Sequence, residues 1–492
     1  MEVVKKSVNQ TEVIKKEVSS GFKTDLALDE SLVRRIICPR ATVRVEGVTK
    51  TNAGITVSAR AAINVLYEGD AGLEVYESGV DFSVEVPFDG EYLHEPVTEI
   101  TADEVTVTAG AGGYTLTAQV TLTAEFLVVK AVEYVEDVEN AINKRVDFSC
   151  LSYFDSCVRN FEAEEEKTYP YVIKRMLCAD EKTRVLSVSC GTNVVVFDAE
   201  AGGEYLFLTD SGERVRESVW FPVRFEAELD GVTPDMVAAG AAQICGAAYK
   251  VESSEADGAT TVTFSYLLRF FGEVYEVKAR SRVDDCFSAS YETSISRTGI
   301  NYKTSCEMQT FKGKCFGEAA CIKDGDIKAV LNACLYGLSY SVTADKLSVS
   351  GVIKAEVLTE NDDGVFKRAV CELPFTSEFA LRYPVITGVS GVVKGVSVKE
   401  FDGKCVLEGE TTFTAVCFGE KTETVLSDVT FGDEKSVDDC AVSMIFVKKG
   451  EDSWDVCKKA GVSEKQLKEQ NPAAEFPAGK DYVISVYRKI DI

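Results

Sequence analysis

Along most of the chain, apolar residues alternate with polar ones at a period of two, in runs of Val, Ile, Thr, Tyr and Phe broken by Gly, Asn and Asp. Val84-Glu85-Val86 and Thr115-Leu116-Thr117-Ala118-Gln119-Val120-Thr121-Leu122 are clear cases. Alternation of this kind predicts antiparallel strands with one buried face.

The runs recur in a common order. Val57-Ser58-Ala59-Arg60-Ala61-Ala62-Ile63-Asn64-Val65-Leu66 and Val349-Ser350-Gly351-Val352-Ile353-Lys354-Ala355-Glu356-Val357-Leu358 share one apolar pattern, and each precedes an acidic turn with a glycine, Gly72 or Gly364. A strand with an apolar-Pro-apolar step follows, Val86-Pro87-Phe88 in the first copy and Leu373-Pro374-Phe375 in the last. Tyr205-Leu206-Phe207-Leu208, Asp210-Ser211-Gly212 and Phe221-Pro222-Val223 form a more divergent middle copy. Each copy closes on a long alternating run: Thr115 to Val129, Thr260 to Phe271, and Cys405 to Phe418. Proline at the same point of each copy predicts a strand edge or bulge, where a missing amide donor is tolerated. The expected fold is mainly β, with three antiparallel modules at 1–145, 146–295 and 296–436 and a small module at 442–492.

That last module changes character. Met444-Ile445-Phe446-Val447 is β-favouring and stops at Gly450, and Asp452 can cap a helix beginning near Ser453. Trp454, Val456, Cys457 and Ala460 supply its apolar face, and Gly461 stands where a left-handed residue ends helices. Ser463 and Gln466 form a capping-box pattern for a second helix, which Asn471-Pro472 terminates. Tyr482 to Tyr487 then reads as a strand. The predicted order is strand, helix, helix, strand, with its own caps, as a separable unit.

The punctuation Gly450-Glu451-Asp452-Ser453-Trp454 and Asn471-Pro472, between two strands, resembles the LysM domain. Asp452 stands where that family usually has threonine, and Ser453 where it has a core leucine. The resemblance implies a shallow binding groove for amino-sugar polymers between two loops, here Gly450, Glu451, Asp452, Ser453 and Trp454 on one side and Asn471, Pro472, Ala473 and Ala474 on the other. Three β modules followed by such a domain resemble the SPOCS-domain proteins of spore-forming Firmicutes, most closely the SipL-type spore-coat morphogenetic family of clostridia. Ile63-Asn64-Val65-Leu66-Tyr67-Glu68 and the glycine turn after it carry the match best, while Thr359 replaces the tyrosine in the third copy. The resemblance implies a mother-cell cytoplasmic protein that docks on the forespore surface and binds the coat's basement-layer ATPase or another coat protein.

Composition narrows the partners. A net charge of −27 repels phosphate backbones and anionic lipid, which argues against nucleic-acid and membrane-surface roles. Residues 442–492 hold 9 of the 53 Lys and Arg and 8 of the 80 Asp and Glu, so the acidity belongs to the body. The opening MEVVKKSVNQTEVIKKEVSS lacks an apolar core of secretory length, and no run of 18 apolar residues exists, so a cytoplasmic product without a membrane span is expected. The 16 cysteines are dispersed, and several, including Cys334, Cys371 and Cys417, sit within apolar runs. They read as buried thiols rather than a disulfide framework. There is no C-x-x-C pair, and Cys315 to Cys321 and Cys150 to Cys157 have no common zinc spacing. No metal and no cofactor is expected.

Enzymatic chemistry has little to stand on. His94, in Tyr92-Leu93-His94-Glu95-Pro96, is the sole histidine and reads as a loop residue. Gly110-Ala111-Gly112-Gly113 falls between strands as a hairpin turn rather than a phosphate loop. Asp284-Asp285 and Asp438-Asp439 read as solvated turns, and Glu162-Ala163-Glu164-Glu165-Glu166 as a charged connector. Three function classes are carried forward: an interaction scaffold in spore-envelope assembly, a peptidoglycan-binding wall protein, and a hydrolase. A non-enzymatic scaffold is the expectation.

Overall fold

The computed structural model describes residues 2–70, 72–110, 113–254, 258–435 and 442–487. Among them the chain is mainly β, with antiparallel strands throughout and two short helices near the C-terminus. The first 138 residues supply β1 (Val3–Leu26), β2 (Arg35–Thr51), β3 (Gly54–Gly69), β4 (Gly72–Pro87), β5 (Val97–Gly110) and β6 (Gly113–Val138). Strands β2, β3 and β4 form one three-stranded sheet, and β1, β6 and β5, with β6 central, form another. The inward residues of the two sheets share one core: Val57, Ala59, Ala61, Ile63 and Val65 of β3 face Leu116, Ala118, Val120 and Leu122 of β6. Alternation along each strand places those residues on one face.

The same arrangement occurs twice more. Strands β7 (Ile142–Tyr169), β8 (Ile173–Cys190), β9 (Val194–Thr209), β10 (Arg214–Glu228), β11 (Val237–Ser254) and β12 (Ala259–Phe287) form sheets β8-β9-β10 and β11-β12-β7. Then β13 (Tyr291–Cys321), β14 (Asp326–Thr343), β15 (Lys346–Glu360), β16 (Phe366–Ala380), β17 (Val385–Phe401) and β18 (Lys404–Glu434) follow the same connectivity. In this third copy the sheets merge, because Ala320 and Cys321 of β13 pair with Glu372 and Cys371 of β16. The opening strands β7 and β13 begin at Ile142 and Tyr291, so positions 145 and 295 lie inside them.

The prolines sit where a lost donor matters least, but not at one register. Pro222 pairs with Glu200 and Pro374 with Val352, six residues before Leu206 and Leu358 on the neighbouring strands. Pro87 instead pairs with Gly54, twelve residues before Leu66, and is the last residue of β4. The apolar-Pro-apolar steps are therefore equivalent in two copies and displaced in the first. Strands β4 and β10 are sheet edges, and Pro374 lies just past the two-residue join to β13.

The closing strands are longer than their alternating runs suggest. Beyond the stretch paired with β11, β12 continues with β7 alone as a two-stranded ribbon; β6 with β1, and β18 with β13, do the same. The ribbons pack together through Val8, Tyr134, Phe148, Cys150 and Tyr302, and through Val135, Val138, Val283, Cys286, Leu426 and Val429. Gln10 ties the three opening strands: its Nε2 donates to the carbonyls of Leu151 (3.1 Å) and Lys303 (3.3 Å), and its Oε1 accepts from the Lys303 amide. At the other end, Leu66, Leu206 and Leu358, at corresponding points of β3, β9 and β15, share a cluster with Ile37, Leu177 and Leu331. Ion pairs Arg44–Glu181 (3.0 Å), Lys394–Glu200 (2.7 Å) and Arg282–Glu423 (2.7 Å) cross the same joints.

Several local expectations change. Glu162 to Glu166 is no connector: it lies within β7, paired residue for residue with β12. Asp284 and Asp285 belong to β12 rather than to a solvated turn. His94 is in a loop and half-buried, with its ring turned inward: Nδ1 is 2.7 Å from the Glu95 carbonyl and Nε2 4.0 Å from a Glu273 carboxylate oxygen. Gly110 pairs with Gly113 as a hairpin end requires, while Ala111, Gly112, Asp438 and Asp439 lie outside the described residues. Among the cysteines, Cys321 and Cys371 are bonded across the β13–β16 join, which corrects the reading of all sixteen as thiols. Periodicity along one strand carries no information about which strand becomes its neighbour.

Candidate functional site

The C-terminal segment builds β19 (Val442–Val447), α1 (Ser453–Ala460), α2 (Glu464–Gln470) and β20 (Tyr482–Tyr487), with β19 and β20 antiparallel. Its boundaries follow from local chemistry. The Asp452 carboxylate accepts from the Asp455 amide (2.8 Å), Gly461 takes the left-handed conformation (φ 67°), and Ser463 with Gln466 closes a reciprocal capping box. Asn471 ends α2, and its side-chain amide donates to the Ser485 carbonyl of β20 at 2.9 Å. Val456, Cys457, Ala460, Leu467, Ile484 and Val486 fill the interior.

The two loops have different surroundings. The Gly450 amide donates to the Ala478 carbonyl (2.8 Å), and the Ala478 amide to that of Glu451 (2.9 Å), so the first loop is laced to the segment before β20. The Glu451 carboxylate is bound to Lys459 and accepts from the Lys448 amide (3.1 Å); the Lys459 hydrogen bond, then the backbone one, holds it below the ordinary glutamate range. Ser453 donates to Glu464. The Glu451 carboxylate is thus paired with Lys459, and that of Asp452 is engaged as a helix cap.

Trp454 faces away from the second loop and into the body. Its ring meets Phe287 edge to face with centroids 5.2 Å apart, its Nε1 donates to Asp285 (2.9 Å), and Lys458 pairs with the same carboxylate. Burial pushes the Asp285 carboxyl up, but the hydrogen bonds from Lys458 and Trp454 outweigh it and leave it below the usual aspartate range. Phe287 belongs to the module's own core, and Ile142 packs against it. The segment is therefore seated on the tip of the β7–β12 ribbon and is not a free-standing appendage. Asp285 and Phe287 are site-building residues that no local pattern marks.

The second loop lines an open groove of about 600 Å³. Asn471, Pro472, Ala473, Ala474 and Glu475 form one wall, and Tyr482, Val483 and Ile484 of β20, with Gly479 and Lys480, form the other. Gly450 and Glu451 back this wall through Ala478; Ser453 and Trp454 do not reach it. Beside the groove, the outer face of the β19–β20 ribbon is apolar and uncovered. Met444 (78% exposed) and Phe446 (52%) alternate with inward residues, Phe446 lies opposite Val483, and Val442 opposite Tyr487. An uncovered cluster of this kind marks an interaction surface more readily than a catalytic site.

Among the described residues no helix is long and apolar enough to cross a membrane. No protein-family model matches the chain, and no curated protein matches it either.

Proposed function

We propose that this chain is a non-enzymatic interaction scaffold of the SPOCS and LysM type in spore-envelope assembly, with residues 442–492 as its partner-binding end. The partner in this reading is a coat basement-layer protein, the ATPase implied by the family resemblance, met in the mother-cell cytoplasm at the forespore surface. The observation that carries the proposal is the apolar outer face of β19 and β20, beside the Asn471–Glu475 groove, on a module held in a fixed direction by Trp454. A rigid mount suits a scaffold, since ordering the interface before encounter lowers the cost of binding.

Glycan binding is a second reading, and the groove favours it: it is sized for a small ligand and combines the Tyr482 ring with polar groups of Asn471 and Glu475. Two measurements separate the readings. The first is capture of the basement-layer ATPase by the full chain and by a chain ending before Val442; the second is calorimetry with N-acetylglucosamine oligomers. The scaffold reading expects capture to vanish on truncation and the sugar to give no heat. Undiminished capture by the truncated chain, with tight sugar binding by the full one, would overturn it.

A further inference from the structure

The β13–β16 join brings together three sulfur atoms that lie far apart in sequence. Cys321 and Cys371 face each other in register, and Cys405, at the start of β18, is paired with Ala319 just before them on β13. All three sulfurs lie within 4.8 Å of one another. Cys371 and Cys405 are buried, while Cys321 keeps part of its surface open. Tetrahedral thiolate sites with metal–sulfur bonds of about 2.3 Å place their sulfurs about 3.8 Å apart, so small side-chain adjustments bring these three into range.

We propose that Cys321, Cys371 and Cys405 form a soft-metal site, for zinc or a metal of similar thiolate preference, that is open when the Cys321–Cys371 bond is reduced and closed when it is formed. A dithiol reductant supplies two electrons and two protons to the sulfur–sulfur bond, leaving two thiols and itself becoming a disulfide. The divalent ion then displaces the three thiol protons into solvent. Three thiolates and one divalent cation carry a net single negative charge. Lys323, in the loop just after Cys321, is fixed by Glu400 and the Gly325 carbonyl. The partly open Cys321 leaves an approach from solvent, and solvent or an added ligand completes the coordination. Soft ligands without a histidine or an open carboxylate set favour zinc over magnesium or calcium.

The test uses the full chain, purified with a chelator, in reduced and oxidised forms, with Co2+ as the optical probe and Zn2+ as competitor. The reduced chain is expected to take up one equivalent of Co2+ with intense near-ultraviolet thiolate absorption, and Zn2+ to displace it. Zn2+ should also shield Cys321, Cys371 and Cys405 from alkylation, read by peptide mass mapping, and the oxidised chain should bind neither ion. Cys405→Ser is expected to weaken binding by at least about 100-fold, while Cys190→Ser, in the second unit, leaves it unchanged. If Cys405→Ser does not fold, Cys321→Ser takes its place with the same expectation. Absence of Co2+ uptake by the reduced chain, wild-type affinity in the triad variant, or zinc shielding that spares these three cysteines would overturn the proposal.

Discussion

Individual side chains join the three β units, and two of them make sharp tests. Gln10 is buried and bonded to the backbone of both other units, so Gln10→Ala removes three hydrogen bonds and strands buried partners. A loss of about 1–3 kcal/mol is expected, read as a lower midpoint in denaturant; an unchanged midpoint would mean the ribbons are held by apolar packing alone. Glu273 is pushed above the ordinary glutamate range, first by burial, against the opposing hydrogen bond from Tyr275 and the nearby His94 and Lys303. A raised folded value means that its contribution to stability is complete below the unfolded value of about 4.3 and is lost as pH rises through the folded one. Glu273→Gln should therefore match the wild type most closely in acid, gain on it toward neutral pH, and flatten the melting curve against pH. A variant that loses stability only at neutral pH would reverse the sign. Neither residue could be singled out from sequence, since Gln10 is one polar residue in a polar run and Glu273 one carboxylate among eighty acidic groups.

At the scale of elements, the helices were legible because their signals are local. Asp452, Gly461, Ser463, Gln466 and Asn471-Pro472 each act within four residues, and both helices begin and end where those residues place them. Strand faces were legible for the same reason, as in Val84-Glu85-Val86, where the valines are buried and the glutamate exposed. Strand length and partners were not, because Glu162 to Glu166 becomes strand only through its pairing with β12 about a hundred residues later. The groove was half legible: Asn471 to Ala474 line it, whereas Trp454 is claimed by Asp285 and Phe287 across a sequence gap no motif spans. That seating is testable. Trp454→Ala should cost about 3–5 kcal/mol and loosen the C-terminal module. Asp285→Ala should loosen it while leaving the caps intact, seen as raised quencher access to Trp454 in a Trp220→Phe background. Unaltered quenching in Asp285→Ala would show that the hydrogen bond does not hold the module.

For the whole molecule, repetition sets the architecture. One arrangement of six strands, used three times, buries its own core and then packs against its copies through equivalent leucines, so the body is a single support rather than beads on a linker. The acidity of the body favours basic or neutral partners at the C-terminal end and raises the ionic-strength dependence of any charged encounter. Partner capture is proposed to run through the outer face of β19 and β20. The decisive measurement is binding of the proposed partner, the purified basement-layer ATPase, to the full chain and to the double variant Met444→Asp, Phe446→Asp, with melting curves recorded alongside. Both side chains point outward, so melting should be unchanged, while affinity should fall by at least about tenfold, equivalent to about 1.4 kcal/mol. Wild-type affinity in a folded double variant would contradict the account.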